Sequence, residues 1–411
     1  MDSASYFDSP IEAKPKAITP VSVIIACALL LLAIGIPIVY SASTASKYGA
    51  STFVTKQLIG VGLGVCVAFV VSRFDLEHLR KYAVPLLVVA IILLLLTLVP
   101  GIGIRRNGSS RWLGTSSLAF QTSEFAKVAL IFCLAHYLAI KQTHIGKTVH
   151  GYCIPLLMIA AITVPISQQK DIGTAGLIFG VGIIILFLAG AKFAKHIVPT
   201  IVIGIAGAAC LVIGTENRFA RLDAWVKHTV PDSWLAHAVS QIMAWRNYTP
   251  KEDIDAWQLE QALSAFAVGG IQGAGLGQGR QQITFLPEAH TDFICAVIGE
   301  ELGLIGTLSV VVLFMVIFIA GLVHLRRAPN MFQYLLTAGA ILFLIMPALI
   351  NFYVVTGVVP TKGMSLPFVS YGMSNLLLTG ALIGILLNNQ RNWPRPAFSK
   401  RERILREVVQ T

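Results

Sequence analysis

The chain has 411 residues, of which 55% are hydrophobic and only 12% are charged, and its formal net charge is +11. This composition excludes an ordinary soluble globular protein, because apolar residues are too many and charged residues too few. Apolar runs long enough to cross a hydrocarbon core of about 30 Å recur along the whole length. The sequence therefore predicts an all-α polytopic membrane protein.

A polar tail, residues 1–20, comes first, so we expect the first span to be an uncleaved anchor rather than a signal peptide. We expect ten transmembrane helices, at 21–43, 54–72, 82–100, 122–140, 151–166, 172–190, 197–214, 292–323, 332–357 and 365–388. A basic tail, residues 391–411, ends the chain. The predicted membrane domain is therefore 21–390, with a long extracytoplasmic loop at 215–291 between the seventh and eighth helices.

The distribution of lysine and arginine sets the expected orientation. More than half of them fall in segments that are cytoplasmic if the chain begins inside, and an even number of spans returns the C-terminus to the same side. The cationic inner rim suits anionic lipid headgroups, so membrane lipids and not nucleic acid are the expected partners of this charge. All six cysteines lie in apolar stretches, which indicates neither a disulfide framework nor a metal site.

The connection between the third and fourth spans departs from this charge rule. It reads "GIGIRRNGSSRWLGTSSLAFQTSEFAKVAL" and places Arg105, Arg106 and Arg111 on the outer side, ahead of a helix that carries Glu124 and Lys127. One interpretation is an anionic partner at the outer boundary. The other is an internal ion pair between Glu124 and Lys127, at i and i+3, with the arginines on lipid phosphates.

Two further outer segments carry polar groups at membrane depth. Asp171 in "QQKDIGTAGL" is predicted to cap the start of the sixth span. Lys362 in "VVPTKGMSLPFVSYGMSNLLL" precedes a predicted helix whose outer half has polar residues at i and i+4 spacing. Those residues form either a site or ordinary interhelical hydrogen bonds. They are Ser370, Tyr371, Ser374 and Asn375.

The long outer loop is predicted to have a fold of its own, because it far exceeds the length of a connector. Its tryptophans, Trp225, Trp234, Trp245 and Trp257, suggest a helix lying in the membrane interface. The following stretch, "AFAVGGIQGAGLGQGRQQ", lacks the preceding strand and the spacing of a nucleotide loop. We expect its glycines to permit close backbone approach to a ligand or to a helix.

The stretch "LPEAHTDFICAVIGEELG" carries carboxylates from the loop into the eighth span. On an ideal helix Glu300 lies about 12 Å deeper than Asp292, and Glu301 points about 180° away from it. Glu301 is therefore expected to hold a neighbouring helix. Asp292 is expected to lie at the depth of the outer membrane boundary and to remain accessible from the outer side. Capping the helix is the structural alternative for Asp292.

These unusual residues share one level in the membrane, at or just below the outer boundary. Ionisable groups at this depth usually line a cavity, so we expect one polar chamber opening at the outer leaflet. A transporter would be expected to carry such groups at the midplane as well. The expected members are Arg111, Glu124, Lys127, Asp171, Asp292, Lys362 and Tyr371.

Four motifs together resemble the SEDS family of bacterial shape, elongation, division and sporulation proteins. They are "RWLGTSSLAFQTSEFAKVAL", "QQKDIGTAG", "GGIQGAGLGQGRQQITFLPEAHTDFICAVIGEELG" and "VVPTKGMSLPFVSYGMSNLLL". "PTKG" before "LPFVSYG" is more similar to the division and sporulation members than to the elongation member. The chain departs from the family pattern at Thr122, in "QTSE", and at Met373 and Asn375, in "SYGMSN".

The resemblance implies an inverting peptidoglycan glycosyltransferase that polymerises lipid II at the outer face of the bacterial cytoplasmic membrane, for septal wall synthesis. It implies a class B penicillin-binding transpeptidase and other divisome membrane proteins as partners. Asp292 would be the general base and Arg111 and Lys362 would neutralise the diphosphate. Glu288 and His290 would position the base or a metal. Glu124, Lys127, Ser370 and Tyr371 complete the expected substrate contacts.

Several alternatives stay open at this point. A divalent cation, Mg²⁺ or Mn²⁺, could accompany the diphosphate, although the sequence shows no dedicated cage for one. A lipid II flippase could use the same fold and the same headgroup affinity, and a non-catalytic scaffold would only recruit the transpeptidase. An elongation or sporulation role is the alternative to division.

Overall fold

The computed structural model describes residues 19–44, 49–106, 109–114, 119–142, 145, 148–245, 254–279 and 289–393. Within these ranges the chain is mostly helical. The predicted polar tail up to residue 18, the basic tail from 394 and the candidate residue Glu288 lie outside the described residues.

The first part of the bundle contains four helices. They are α1 (Pro20–Ala42), α2 (Ala50–Arg73), the short α3 (Leu76–Leu79) and α4 (Ala83–Leu96), with a 3₁₀ turn at Arg80–Tyr82 between the last two. Thr19 begins α1 with a capping box, in which its hydroxyl accepts a hydrogen bond from the backbone of Ser22 and the Ser22 hydroxyl accepts one in return.

Among the described residues ten more helices follow, beginning with α5 (Thr122–Ile140), α6 (Ile154–Gln168), α7 (Ile172–Leu188) and α8 (Val198–Ile213). The long outer segment holds α9 (Glu216–Thr229), α10 (Trp234–Trp245) and α11 (Ile254–Gly269). The last three are α12 (Ile294–Leu325), α13 (Met331–Val355) and α14 (Met373–Asn392). Helical π turns at Thr148–Cys153 and Phe193–Ile197 lead into α6 and α8.

The structure confirms a polytopic helical membrane protein but not the count of ten spans. By length and composition, eight helical segments of the described chain could cross a membrane. Helix α7 has 17 residues, short of a full crossing, and α14 is not among the eight because it has polar residues at both ends.

The predicted start of the last span at residue 365 is wrong. Helix α14 begins at Met373, since Pro367 cannot continue a hydrogen-bond ladder and Phe368 takes a left-handed conformation with φ of 66°. Ser370 and Tyr371 therefore precede the helix, and the predicted helical stripe that included them does not form.

A small sheet joins α4 to α5, so the all-α prediction was incomplete. Its antiparallel strands are β1 (Ile104–Arg106), β2 (Ser109–Gly114) and β3 (Ala119–Gln121), with β2 in the centre. Trp112 lies opposite Ile104 on one side and Gln121 on the other. Strands of three to six residues are too short for an alternating pattern to be detected. The sheet matters for the site because β3 leads directly into α5.

Helices α5 and α13 are the most deeply buried spans, whereas α2 and α8 are the least buried. The buried apolar side chains of the bundle helices form one continuous core. The start of α5 is therefore held at the centre of the molecule, and polar residues placed there are fixed by their neighbours.

Helix α12 is interrupted at Gly303, where φ is 66° and ψ is −162°. The glycine-rich segment after α11 packs backbone against backbone at this break, as expected from its composition. Ala274 N donates to Glu300 O at 2.9 Å, and Leu304 N donates to Gly270 O at 2.9 Å. Nearby, the Ser41 hydroxyl of α1 donates to Glu301 Oε1, which confirms that Glu301 holds a neighbouring helix.

The long outer segment contains a small apolar cluster between α9 and α10. Its buried members are Phe219, Val226, Val239 and Met243. Trp225 Nε1 donates to Gly357 O at 2.7 Å, which ties α9 to the end of α13. Trp234 and Trp245, at the two ends of α10, are exposed. The interfacial placement of α10 stays a prediction.

Candidate functional site

A polar cavity of about 1050 Å³ lies at the end of the bundle where α2, α5, α7, α12 and α14 begin. The structure brings most of the predicted site residues to its wall. They are Arg111, Glu124, Lys127, Asp171, His290, Asp292, Lys362 and Tyr371. The predicted site residues therefore line one cavity although they lie far apart in the sequence.

Asp171 joins the two cations that sequence analysis assigned to the diphosphate. Its Oδ1 lies 2.8 Å from Lys362 Nζ and its Oδ2 lies 3.3 Å from Arg111 Nη1. It also caps α7, because Thr174 N donates to Oδ1 at 3.2 Å, so the capping prediction is confirmed. Arg111 is further held by donation from Nη2 to Lys170 O at 3.1 Å. No spacing in the sequence indicates this triad, because its members come from three separate connections.

The electrostatics of this triad favour the ionised carboxylate. Burial alone would raise the pKa of Asp171, but the charges of Lys362 and Arg111 outweigh it and lower the pKa to about 2. Asp171 is 2% exposed, whereas about a quarter of each cationic side chain stays accessible, 26% for Arg111 and 23% for Lys362. The carboxylate thus holds two cations in place while both still face the cavity.

Glu124 and Lys127, in the first turns of α5, form a second ion pair. Lys127 Nζ donates to Glu124 Oε1 at 2.8 Å, and both side chains are buried. The internal pair between Glu124 and Lys127 is therefore confirmed, whereas a contact of the outer arginines with lipid phosphates stays a prediction. Both residues still line the cavity, so the pair also contributes to its polar wall.

The backbone that leads into α12 is fixed by donors from the segment before α14. Tyr371 N donates to His290 O at 3.0 Å, and the Ser370 hydroxyl donates to Thr291 O at 2.6 Å. Ser370 is buried and also accepts from Leu366 N. Ser370 therefore lies behind the cavity wall and positions the chain next to Asp292, and a direct substrate contact stays a prediction.

Asn351 of α13 completes this support, and sequence analysis did not single it out. Its Nδ2 donates to Asp292 O at 2.7 Å and to Met364 O at 2.6 Å, and the side chain is 1% exposed. A lone amide in the apolar stretch "MPALINFYVV" was the available signal, since an amide at that depth needs hydrogen-bond partners. Asn351 holds Asp292 and the Lys362 segment at a fixed separation.

The capping alternative for Asp292 is wrong, because α12 begins at Ile294 and its cap residue is Phe293. The Asp292 carboxylate instead packs on Gly363. A β-carbon at Gly363 would collide with Oδ2 of Asp292. Any residue other than glycine at this position would therefore displace the carboxylate. In the same way, a β-carbon at Gly173 would collide with the methylene chain of Lys362.

An aromatic cluster forms the wall beside Asp292. The ring centroids of Phe53 and His290 are 4.8 Å apart, and those of Phe53 and Tyr371 are 5.0 Å apart, both with edge-to-face geometry. The family departures lie on the same wall, since Met373 and Asn375 line the cavity. Lining residues that sequence analysis missed are Lys56, Trp112, Arg221 and Gln258.

The donor set at the cavity does not fit a metal site built by the protein alone. Two of its carboxylates, Glu124 and Asp171, are paired with cationic side chains. Among the residues that the structure describes, no three or more His, Cys, Asp or Glu side chains are grouped closely enough to hold a metal ion. A divalent cation therefore stays an untested expectation.

Comparison with known proteins identifies the family. The sequence model of the FtsW/RodA/SpoVE family, described as cell cycle protein, matches residues 21–393. A relative from Geobacter metallireducens, "Probable peptidoglycan glycosyltransferase FtsW", is 36% identical over 89% of this chain and 93% of its own length. Stage V sporulation protein E of Bacillus subtilis is also 36% identical, over 92% of this chain and 98% of its own.

Solved structures agree on the fold. A chain from a study titled "Structural coordination of polymerization and crosslinking by a peptidoglycan synthase complex" matches with a TM-score of 0.67 and 24% identity, over 90% of this chain and 98% of that one. The rod shape determining protein RodA of Thermus thermophilus matches with a TM-score of 0.64 and 22% identity, over 90% and 97%. The chain is therefore a multi-pass membrane protein that belongs to the FtsW/RodA/SpoVE family.

Proposed function

We propose that this protein is a peptidoglycan glycosyltransferase that polymerises lipid II in the polar cavity, with Asp292 as general base. The observation that carries the proposal is that one carboxylate, Asp292, lines the same cavity as a pair of anchored cations, Arg111 and Lys362. A relative from Geobacter metallireducens that covers nearly the whole chain is named a probable peptidoglycan glycosyltransferase.

The cations suit the leaving group of such a reaction. Lipid II carries its sugars on a diphosphate, and a planar guanidinium with a partly accessible ammonium can contact several phosphate oxygens. Asp171 keeps both cations oriented before substrate arrives, which lowers the cost of reorganisation during the reaction. The lipid diphosphate would leave with the electron pair of the broken glycosidic bond, and Arg111 and Lys362 would offset its charge.

Asp292 supplies the complementary step. The 4-hydroxyl of the acceptor sugar is a poor nucleophile until its proton is removed, and the Asp292 carboxylate accepts that proton as the oxygen attacks the anomeric carbon of the donor. Attack from the face opposite the diphosphate inverts the anomeric centre. The backbone bonds to Asn351 and the contact with Gly363 hold the carboxylate for this role.

The cavity lies at one end of the bundle, which favours an enzyme over a lipid II flippase. Its charged lining residues on α2 and α5 lie in the first turns of those helices, as with Lys56, Glu124 and Lys127. A flippase would need a polar path towards the opposite end. We place this end at the outer face of the bacterial cytoplasmic membrane, with both termini inside and the protein at the division septum.

The proposed partner is a class B penicillin-binding transpeptidase, together with other divisome membrane proteins. One solved structure with the same fold comes from work on a peptidoglycan synthase complex that coordinates polymerisation and crosslinking. A polymerase that releases strands beside a transpeptidase supplies that enzyme with substrate directly.

The test is strand synthesis from purified lipid II in detergent, where no second compartment exists. Wild-type protein with its transpeptidase partner should give long glycan strands, and Asp292→Asn should give about 10² to 10⁴ times less. Parallel reactions with Mg²⁺, Mn²⁺ or a chelator decide whether a divalent cation is needed. A folded wild-type complex that makes no polymer in any of them would favour the flippase.

The scaffold alternative is tested by the same variant. Asp292→Asn that binds its partner, melts normally and still makes strands at the wild-type rate would remove Asp292 from the chemistry. Glu288 would then be the next candidate for the base.

A further inference from the structure

A second cavity, of about 420 Å³, lies at the opposite end of the bundle from the first. It is lined by the last residues of α2 and α14 and by the connection into α3, including Arg73, Asp75, Glu77 and Arg391. Lys56 of α2 lines the large cavity. At a rise of 1.5 Å per residue, Arg73 lies about 25 Å further along the same helix.

The two helix ends meet because α2 and α14 pack with their backbones in contact. A β-carbon at Gly64 would lie 2.7 Å from Leu376 O, and one at Gly384 would lie 2.8 Å from Ala68 O. Asn388 then donates hydrogen bonds to carbonyl groups at the end of α2, where the helix itself provides no donor. Its Nδ2 donates to Val71 O at 3.1 Å, Ser72 O at 3.2 Å and Phe74 O.

The acidic residues of this cavity are already engaged. Asp75 caps α3, accepting from Glu77 N at 2.9 Å, and it lies 3.1 Å from His78 Nδ1. Glu77 Oε1 accepts from Asn330 Nδ2 at 2.9 Å, and Glu77 Oε2 lies 3.4 Å from Arg80 Nη1. These contacts hold the connection between α2 and α4 against the start of α13.

The two arginines of this cavity, Arg73 and Arg391, differ from its acidic residues in their ionic contacts. Within the described parts of the chain, neither Arg73 nor Arg391 has a carboxylate oxygen within 4.0 Å, and both are exposed. The guanidinium carbon of Arg73 lies 4.6 Å from the centroid of the Phe69 ring, which fixes the stem and leaves the N–H edge accessible. The cavity therefore presents two guanidinium groups that suit phosphate oxygens.

The surroundings distinguish a lipid from a soluble phosphate. Phe69, Val70 and Phe74 of the adjoining helix surface are about half exposed, at 57%, 49% and 53%. In a membrane protein this apolar surface faces acyl chains. We propose that this cavity binds the headgroup of an acidic glycerophospholipid, with the phosphate between Arg73 and Arg391 and an acyl chain along α2. A choline headgroup would bring a third cation to the same place, so the cavity should prefer an acidic lipid.

The test counts bound lipid on purified full-length protein by native mass spectrometry during titration with phosphatidylglycerol. Arg73→Gln combined with Arg391→Gln should weaken phosphatidylglycerol binding by about 30-fold, since each arginine near anionic lipid contributes about 1 kcal/mol. Arg391→Gln alone should weaken it by about fivefold, which keeps the test usable if the double variant misfolds. The matched control is Arg326→Gln combined with Arg327→Gln, an exposed pair that does not line this cavity.

The control should bind phosphatidylglycerol as the wild type does, and phosphatidylcholine should bind the wild type weakly. Equal losses in both double variants would mean that general surface charge attracts the lipid, which overturns the proposal. Unchanged binding in both Arg391→Gln and the double variant would overturn it as well. Displacement of the lipid by equimolar sn-glycerol 3-phosphate would show that the cavity takes soluble phosphates instead.

Discussion

Asp171 and Asp292 both stand just before a helix at the same cavity, yet the structure uses them differently. Asp171 caps α7 and binds Arg111 and Lys362, so its carboxylate is surrounded by donors. Asp292 precedes the cap residue of α12, its carbonyl oxygen accepts from Asn351 Nδ2 at 2.7 Å, and its carboxylate packs on Gly363. The first acid organises two cations, whereas the second is the residue that we propose as general base.

This difference shows why position near a helix start does not by itself assign a carboxylate to capping. The distinguishing feature is which residue supplies the cap, since Asp171 accepts from Thr174 N whereas Phe293 is the cap residue of α12. Two cations hold the pKa of Asp171 at about 2, so it remains ionised and is a poor base. A general base needs access to the acceptor hydroxyl.

The comparison is tested most directly by removing each charge in turn. Asp292→Asn should lower polymerisation by about 10² to 10⁴ and leave the melting temperature unchanged. Asp171→Asn should slow polymerisation as well, because Arg111 and Lys362 lose the acid that orients them, and it should lower the free energy of unfolding by about 2 to 3 kcal/mol, because two partly accessible cations lose their counter-charge. Strand synthesis and thermal melting are measured on both variants in the same detergent.

The pH dependence of these effects has a defined sign. The pKa of Asp171 is lowered in the folded protein, so its stabilisation is present above the ordinary value of 3.8 and is lost as the pH falls towards 2. The difference in stability between wild type and Asp171→Asn should therefore be constant from pH 6 to 8. Equal melting of the two proteins at pH 7 would contradict the structural role of Asp171.

The next largest effect is expected at the buried pair of α5. Glu124→Lys or Lys127→Glu alone leaves two like charges in a buried site and should cost about 3 kcal/mol of stability. The double variant restores opposite charges at the same spacing and should recover more than half of that loss. Thermal unfolding of the four proteins gives the coupling energy. Additive losses in the double variant would mean that each residue contacts other groups instead.

Much of this arrangement could be predicted from the sequence, and the missing parts have physical reasons. Helix positions followed from apolar length, and the level of Arg111, Asp292 and Lys362 followed from topology. The triad with Asp171 was missed because contacts between distant segments leave no spacing in the sequence. The sheet of β1, β2 and β3 was missed because its strands are too short to show a period.

A smaller effect is expected when Arg111 is replaced by lysine. Arg111 contacts Asp171 through Nη1 and Lys170 O through Nη2, and an ammonium group on a flexible stem cannot reproduce this fork. Arg111→Lys should lose about 10- to 100-fold in polymerisation while staying folded. Single-turnover rates at saturating lipid II separate this loss from weaker binding. A variant with the wild-type rate would assign Arg111 to lipid phosphates.

The smallest predicted effect tests the placement of the Asp292 carboxylate. A β-carbon at Gly363 would collide with Oδ2 of Asp292, and no positive φ requires glycine at residue 363. Gly363→Ala should therefore displace the carboxylate without straining the backbone, and a small misplacement of a base should lower the rate by about tenfold. The matched control is Gly176→Ala in α7, where a β-carbon meets nothing within 4 Å. Both variants should melt like wild type, and only Gly363→Ala should lose turnover. Equal rates for the two would show that the Asp292 carboxylate can move without cost, which would argue against its role as a positioned base.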